Sequence, residues 1–358
     1  MSRSASSILP DGTRLPDMST PLLEVRSLSK WFPIEKGAVF RRAFAKVHAV
    51  NDVSFEIKPK ESVGLVGESG SGKTTVGRIV AGLLDPSSGS VLFGGRDISR
   101  MTKEELRGFR RKIGIVFQDP YSSLNPRMKV GHVVSEPLDV VQQGSEEDRA
   151  RRAEDLLVRV GLAKSDATKY PHQFSGGQLQ RIAIARALSL NPSLVIADEP
   201  VSSLDVSIQA RIINLMRDIQ KEFGLAYLFI SHDLGVVRHI ADRVVVLYLG
   251  FVMEQGRADD LFSEARHPYT RALLSTVLVP DAGKLKRNPP SLLKGEIPSP
   301  IHLPTGCKFN TRCPYVQDKC RIEEPPLEPA HSEEHLVSCF YWKELGTADP
   351  SREAEDGR

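Results

Sequence analysis

Apolar residues in this chain fall into short, separated runs. Leu22–Leu28 and Val53–Ile57 alternate apolar with polar positions, which predicts strands with one covered face. Ser62–Val66, Ile113–Phe117, Leu194–Ala197, Ala226–Ile230 and Val244–Leu249 are continuous apolar runs of strand length. Such runs suit strands covered on both faces, as in a parallel α/β sheet. Residues 145–162 and 178–190 carry helical periodicity, so a large helical insertion is expected between Phe117 and Leu194. Between the first two strands lies the basic stretch Pro33–Lys46, with Lys36, Arg41, Arg42 and Lys46. It reads as a solvated loop, with a phosphate or lipid contact as the alternative. From about Pro268 the composition shifts. Pro289, Pro290, Pro298, Pro300 and Pro304 mark an irregular segment that excludes a long helix or a central strand. Residues 1–20 and 346–358 read as disordered, and no internal repeat is visible.

Length and composition bound this picture. A chain of 358 residues holds two domains, or one large domain with an appendage. A net charge of +3 is too small to argue for a nucleic-acid partner. No apolar run approaches the roughly 18 residues needed to span a bilayer. The polar N-terminus has no apolar segment of the signal-peptide kind. The expectation is a cytoplasmic protein that, if it acts at a membrane, acts as a peripheral subunit.

The densest chemistry is Gly67-Glu68-Ser69-Gly70-Ser71-Gly72-Lys73-Thr74, between the run Ser62–Val66 and the helix-compatible run Thr75–Val80. This is a P-loop in its required strand–loop–helix setting. Successive backbone N–H groups and a helix N-terminus converge on an anion. The glycines permit close approach and positive φ. Lys73 can reach the β- and γ-phosphates of a nucleotide, and the Thr74 hydroxyl can ligate Mg²⁺. Gly67 to Thr75 is therefore the candidate ATP cradle.

Leu194-Val195-Ile196-Ala197 runs into Asp198-Glu199. After a P-loop, such a strand reads as Walker B, with Asp198 on Mg²⁺ and Glu199 as general base towards the attacking water. The alternative is two surface acids after a strand. Ser175-Gly176-Gly177-Gln178 opens a second helix. It is either an ordinary turn and cap or a second anion site at a helix end. Two phosphate-binding helix ends from different subdomains are reconciled by a head-to-tail dimer, with each ATP sandwiched between chains.

With these motifs in order, the sequence resembles the ATP-binding cassette (ABC) nucleotide-binding subunits. Phe117-Gln118-Asp119-Pro120 is similar to the family's Q-loop, Phe174–Gln178 to its signature (with Phe where Leu is commonest), and Ser203-Leu204-Asp205 to its D-loop. Ile230-Ser231-His232-Asp233 is similar to its switch region. The resemblance implies an α/β fold: a P-loop NTPase domain with a RecA-like core, an antiparallel β subdomain and a helical subdomain. It implies that Gln118 touches Mg²⁺ and the attacking water and reports to a transmembrane partner, and that His232 contacts the γ-phosphate. Ser175, Gly176, Gly177, Gln178 and Asp205 would complete the opposite site in trans. With Glu199 and His232 both present, ATP hydrolysis is expected. An aromatic should stack on adenine; Phe32 is the candidate and Trp31 the alternative.

Three segments narrow the resemblance: Gln118–Arg127, Pro200–Ala210 and His267–Leu274. Together they are similar to the ATPase subunits of bacterial dipeptide/oligopeptide and nickel importers, over about Leu22 to Trp342. The implied organisation is an ATP-binding domain at 21–266 (helical subdomain about 119–190), and a C-terminal extension at 267–345. The implied partners are a sister ATPase forming a heterodimer, two permeases and an extracytoplasmic substrate-binding protein. The implied place is the cytoplasmic face of the inner membrane. The chain looks most like the second of the two ATPases. Peptide uptake is the expected task, nickel or another solute the alternative. A soluble, non-transport ABC protein is the remote one, since one P-loop and no heptad run are present.

All four cysteines, Cys307, Cys313, Cys320 and Cys339, fall in this extension with the spacing C-x5-C-x6-C-x18-C. Four thiolates can close a zinc site or an iron–sulfur cluster. Plain thiols are the remaining reading. The tight pairs usual for structural zinc are absent, and the resemblance implies a 4Fe-4S cluster.

Overall fold

The computed structural model describes residues 20–36, 42–276, 295–330 and 332–345. The expected disorder at residues 1–19 and 346–358, and Pro289 and Pro290, lie outside the described residues. β1 (Leu23–Lys36) and β2 (Arg42–Ile57) form a long antiparallel pair. β3 (Ser62–Val66) then enters a second sheet. β4 (Ser88–Phe93) and β5 (Arg96–Asp97) return to the first, giving the antiparallel order β2-β1-β4-β5.

The second sheet holds β6 (Ile113–Val116), β7 (Leu194–Asp198), β8 (Ala226–Ser231), β9 (Arg243–Tyr248) and β10 (Phe251–Arg257). Two short strands, β11 (Glu328–Pro329) and β12 (Leu336–Val337), complete it in the order β11-β12-β10-β9-β3-β8-β7-β6. Strands β9, β3, β8, β7 and β6 are mutually parallel, and β10, β11 and β12 run antiparallel at one edge.

The continuous apolar runs have a simple physical origin. Along β8, Ala226, Leu228 and Ile230 enter one hydrophobic core, while Tyr227 and Phe229 enter another on the opposite face. Along β7, Leu194 and Ile196 divide from Val195 and Ala197 in the same way. Period-2 alternation thus persists, but both faces are apolar. One core lies under the antiparallel sheet and the helix Lys73–Val80. The other joins the sheet to the helices Val130–Val140, Glu146–Arg159 and Gly176–Ala187. These three helices are the expected insertion.

One expectation is corrected. Pro33–Lys46 is not a solvated loop. The ladder continues through Pro33 opposite Lys46 and Ile34 opposite Ala45 to Lys36 opposite Arg42, leaving only 37–41 undescribed. Among the described residues, β1 beyond Ser29 pairs with β2 alone, and past the contact of the Trp31 backbone with Ser87 Oγ its other edge is open. An open edge tolerates proline and carries basic residues, which is why the stretch looked like a loop. Among the described residues after Pro268, the chain is irregular as expected, apart from short helices at Pro268–Ser275 and Asp318–Ile322 and the two edge strands.

Candidate active site

β3 delivers the chain into the loop Gly67–Gly72, and the helix Lys73–Val80 leaves it. Gly72 sits at the helix N-cap with φ 98° and no side-chain cap. A Cβ there would stand 2.2 Å from the Ala49 carbonyl oxygen, so only glycine fits. The first-turn amides, Thr75 included, are left without a side-chain acceptor, the state of a helix end built for an anion. Ser69 and Gly70 form the exposed rim, whereas Gly67 and Ser71 are buried.

Lys73 is buried and folds back on the loop. Its Nζ donates to the carbonyls of Gly67 (2.6 Å) and Glu68 (2.9 Å) and to Ser71 Oγ (3.3 Å). Burial lowers its pKa, while Glu199, Asp198 and Glu68 pull the other way. Thr74 Oγ1 donates to Asp198 Oδ1 at 3.1 Å. Burial raises the Asp198 pKa, the Thr74 hydrogen bond opposing it. A desolvated carboxylate beside a hydroxyl is a donor set that fits Mg²⁺.

Glu199 follows Asp198 with φ 47°, a left-handed conformation that a non-glycine residue rarely adopts. Its N–H donates to the Ile230 carbonyl at 2.9 Å, tying the turn to β8. Its carboxylate accepts from Gln118 Nε2 at 3.0 Å, and His232 Nδ1 stands 3.2 Å from its other oxygen. Gln118, Thr74, Asp198, Glu199, Lys73 and His232 come from the ends of β6, β3, β7 and β8, on one rim of the parallel sheet. Ligand sites of open α/β sheets lie at such strand ends.

Ser175, Gly176, Gly177 and Gln178 are elsewhere. Gln178 Oε1 accepts from Ser175 N at 3.0 Å, and Ser175 is exposed with no side-chain cap bond. Gly177 packs against Ile208, and Asp205 Oδ1 caps the helix Val206–Phe223 through Ile208 N at 3.0 Å. The two elements expected to act in trans therefore adjoin each other. Among the described residues, no hydrogen bond joins them to the P-loop of their own chain. Phe32 is 38% exposed and pairs with Val47, two residues along β2 from Ala49. Trp31 is more covered and pairs with His48.

Cys307, Cys313, Cys320 and Cys339 are free thiols lining one small cavity with Phe309 and Tyr341. Burial pushes Cys307 up to about 11 and Cys313 and Cys339 up to about 12. Among the described residues, no three His, Cys, Asp or Glu side chains gather closely enough to hold one metal ion. The arrangement thus supports neither zinc nor an iron–sulfur cluster, although all four cysteines line that one cavity.

Two residues that sequence reasoning missed touch this site. Arg312 reaches the P-loop Glu68, and Tyr269 Oη accepts from Glu68 N at 2.9 Å. Tyr269 stands in the His267–Leu274 segment that narrows the resemblance and Arg312 stands one residue before Cys313, but no spacing ties either to the P-loop.

A strand–glycine loop–helix cradle, an acid pair at the end of β7 in the same parallel sheet, and a separate helix end that begins at an exposed serine define an ABC-type P-loop ATPase. The description "ABC transporter" matches residues 50–202, and "Oligopeptide/dipeptide transporter, C-terminal region" matches 253–320. The chain is 51% identical over 323 residues to the oligopeptide transport ATP-binding protein AppF of Bacillus subtilis, covering 90% of this chain and 97% of that one. Among solved structures, the ATP-binding cassette MJ0796, dimeric after hydrolysis with ADP and Pi bound, is similar at TM-score 0.58 and 32% identity. It spans 66% of this chain and 98% of that one. CbiO1 of Clostridium perfringens is similar at TM-score 0.58 and 32% identity, over 68% and 91% of the two chains. The chain belongs to the ABC transporter ATP-binding proteins, in the branch that carries the oligopeptide/dipeptide transporter C-terminal region. No helix among the described residues is long and apolar enough to cross a membrane.

Proposed function

We propose that this chain is the ATPase subunit of a peptide importer and that each site residue acts in the role its geometry suits. The observation that carries the reading is the Glu199 carboxylate held between Gln118 and His232, beside the Thr74–Asp198 pair. Lys73 exchanges the carbonyls of Gly67 and Glu68 for the β- and γ-phosphates, so its burial is compensated by substrate. Backbone amides of Gly67–Thr75 receive the phosphate oxygens. Thr74, Asp198 and Gln118 would hold Mg²⁺, which supplies neutralisation of the charge between the β- and γ-phosphates. Glu199 takes the proton of the attacking water, and His232 and Gln118 fix its orientation. Phe32 stacks on adenine.

Ser175–Gln178 and Asp205 complete the site of a sister ATPase, in a head-to-tail heterodimer with exchanged edges. The exposure of Ser175 and the dimeric state of the related MJ0796 cassette support this. An open groove of about 860 Å³ lies beside the Q-loop, lined by Ile115, Phe117, Glu136, Val140 and Arg186. It suits a segment of one of two permeases at the cytoplasmic face of the inner membrane. The identity with a relative named for oligopeptide transport supports peptide as cargo, delivered by an extracytoplasmic binding protein. The ATP-binding domain runs over 21–266 with its helical subdomain at 119–190, and the extension over 267–345. Cys307, Cys313, Cys320 and Cys339 would be the ligands of an iron–sulfur cluster, as the family resemblance implies.

The test is Glu199→Gln in the assembled transporter. Phosphate release should fall by roughly 10²–10⁴ while ATP stays bound. Turnover at the wild-type rate would refute the base assignment. For the cluster, anaerobically purified protein should be brown and contain iron and sulfide; colourless, iron-free protein would remove it.

A further inference from the structure

The P-loop contains an acid where it must receive a polyanion. Glu68 lies inside Gly67–Thr74, and its charge reaches Lys73 together with those of Asp198 and Glu199. The charges of three carboxylates thus act on one ammonium before ATP arrives. The Glu68 carboxylate is gripped by Arg312. Arg312 Nη1 donates to Oε2 at 2.6 Å and Nη2 to Oε1 at 3.1 Å, a two-point fork. The Arg312 side chain is only 5% exposed and lies over the Tyr248 ring, with Nη1 3.4 Å from Tyr248 Oη. Tyr269 holds the Glu68 amide, and Tyr248, Tyr269 and Phe309 pack ring to ring beneath. Arg312 belongs to the C-terminal extension, one residue before Cys313.

We propose that Arg312 is a positioning residue for nucleotide binding: the extension lends the P-loop a guanidinium that neutralises Glu68 and orients it away from the triphosphate. The inference rests on the P-loop reading above and deepens it. The extension is then part of the nucleotide site. A main-chain contact of the extension, His48 N donating to Pro300 O at 3.0 Å, lies on the strand next to the candidate adenine residue.

The physical consequence is specific. Removing Arg312 leaves an unpaired carboxylate beside the phosphates, a repulsion that grows with ligand charge and shrinks with salt. In the assembled transporter, with Glu199→Gln to prevent turnover, Arg312→Ala should weaken ATP binding on the order of tenfold. It should weaken ADP less and adenosine not at all. Arg312→Lys keeps the charge and should stay within about threefold. The discriminating arm is rescue: Arg312→Ala with Glu68→Gln should regain most of the affinity. A purely structural role for Arg312 would give no rescue and no grading with phosphate number, and either result overturns the proposal, as does unchanged ATP affinity in Arg312→Ala. If Arg312→Ala does not fold, Glu68→Gln alone decides: it should bind ATP at least as tightly as its parent, and weaker binding overturns the proposal. Absence of ATP binding in the parent protein would instead refute the ATPase reading itself.

Discussion

Gln118 Nε2 donates to Glu199 Oε2 at 3.0 Å, although the two residues are 81 positions apart and belong to neighbouring strand ends. On the other side of the same carboxylate stands His232. The acid is therefore oriented from both flanks, and its unusual backbone torsion is fixed by the hydrogen bond to Ile230.

Because both flanking groups contact the same Glu199 carboxylate, their removals should not add. Gln118→Ala and His232→Ala are each expected to lower ATP turnover by about 10- to 100-fold. The double variant should lose much less than the product of the two. Steady-state phosphate release on the four proteins checks this.

Thr74 and Asp198 share a hydrogen bond that Mg²⁺ would replace with two ligand bonds. Thr74→Val keeps the shape and deletes the hydroxyl. Half-maximal turnover should then require roughly tenfold more Mg²⁺, the equivalent of about 1.4 kcal/mol from one lost polar contact. A Mg²⁺ titration of the rate at saturating ATP measures it.

His267 gives the fold an acid limit. Its Nδ1 accepts from Tyr269 N at 3.1 Å, capping the helix Pro268–Ser275, so the ring must stay neutral at that nitrogen. Burial pushes its pKa down to about 4, against the opposing pull of Glu254. Below the ordinary value near 6.5, the unfolded chain binds a proton that the folded chain refuses. Stability is thus full above about 6.5 and falls as pH drops towards 4, by about 3 kcal/mol at the limit. Thermal unfolding across that range should show the slope, and His267→Gln should flatten it.

Phe309 is fully buried among Tyr248, Tyr269 and His267. Phe309→Ala should cost about 3–5 kcal/mol through the cavity it leaves. Denaturant melts measure the loss, and ATP affinity should fall with it because the same rings support Arg312 and Glu68.

What was legible in the sequence is what is local. Glycines of the P-loop announce themselves because their φ values and close approaches exclude a Cβ. The strand ends Asp198–Glu199 and Ser231–His232 are legible because each follows an apolar run of the right length. The outer part of β1 and β2 was hidden, since Pro33 and the basic residues report an open edge and not the absence of a strand. The helix Val206–Phe223 carried its own signals unread: the cap at Asp205, the buried Ile212, Met216 and Ile219, and Gly224 with φ 62° at its end. The pair Arg312–Glu68 spans 244 positions and obeys no periodicity, so only the folded chain brings it to notice.

β10 is hydrogen-bonded on one side to β9 of the parallel sheet and on the other to β12 near the end of the described chain. Within it, Glu254 has no solvent exposure and serves the amides of Arg266 and His267 and the His335 ring at 2.7–2.9 Å. Anyone building chimeras by swapping ATPases between transporters would be tempted to cut after residue 266, ahead of the C-terminal extension. A graft made there would trade partners across a continuous sheet and strand a naked carboxylate in oil, so the smallest transplantable unit reaches at least to Leu345.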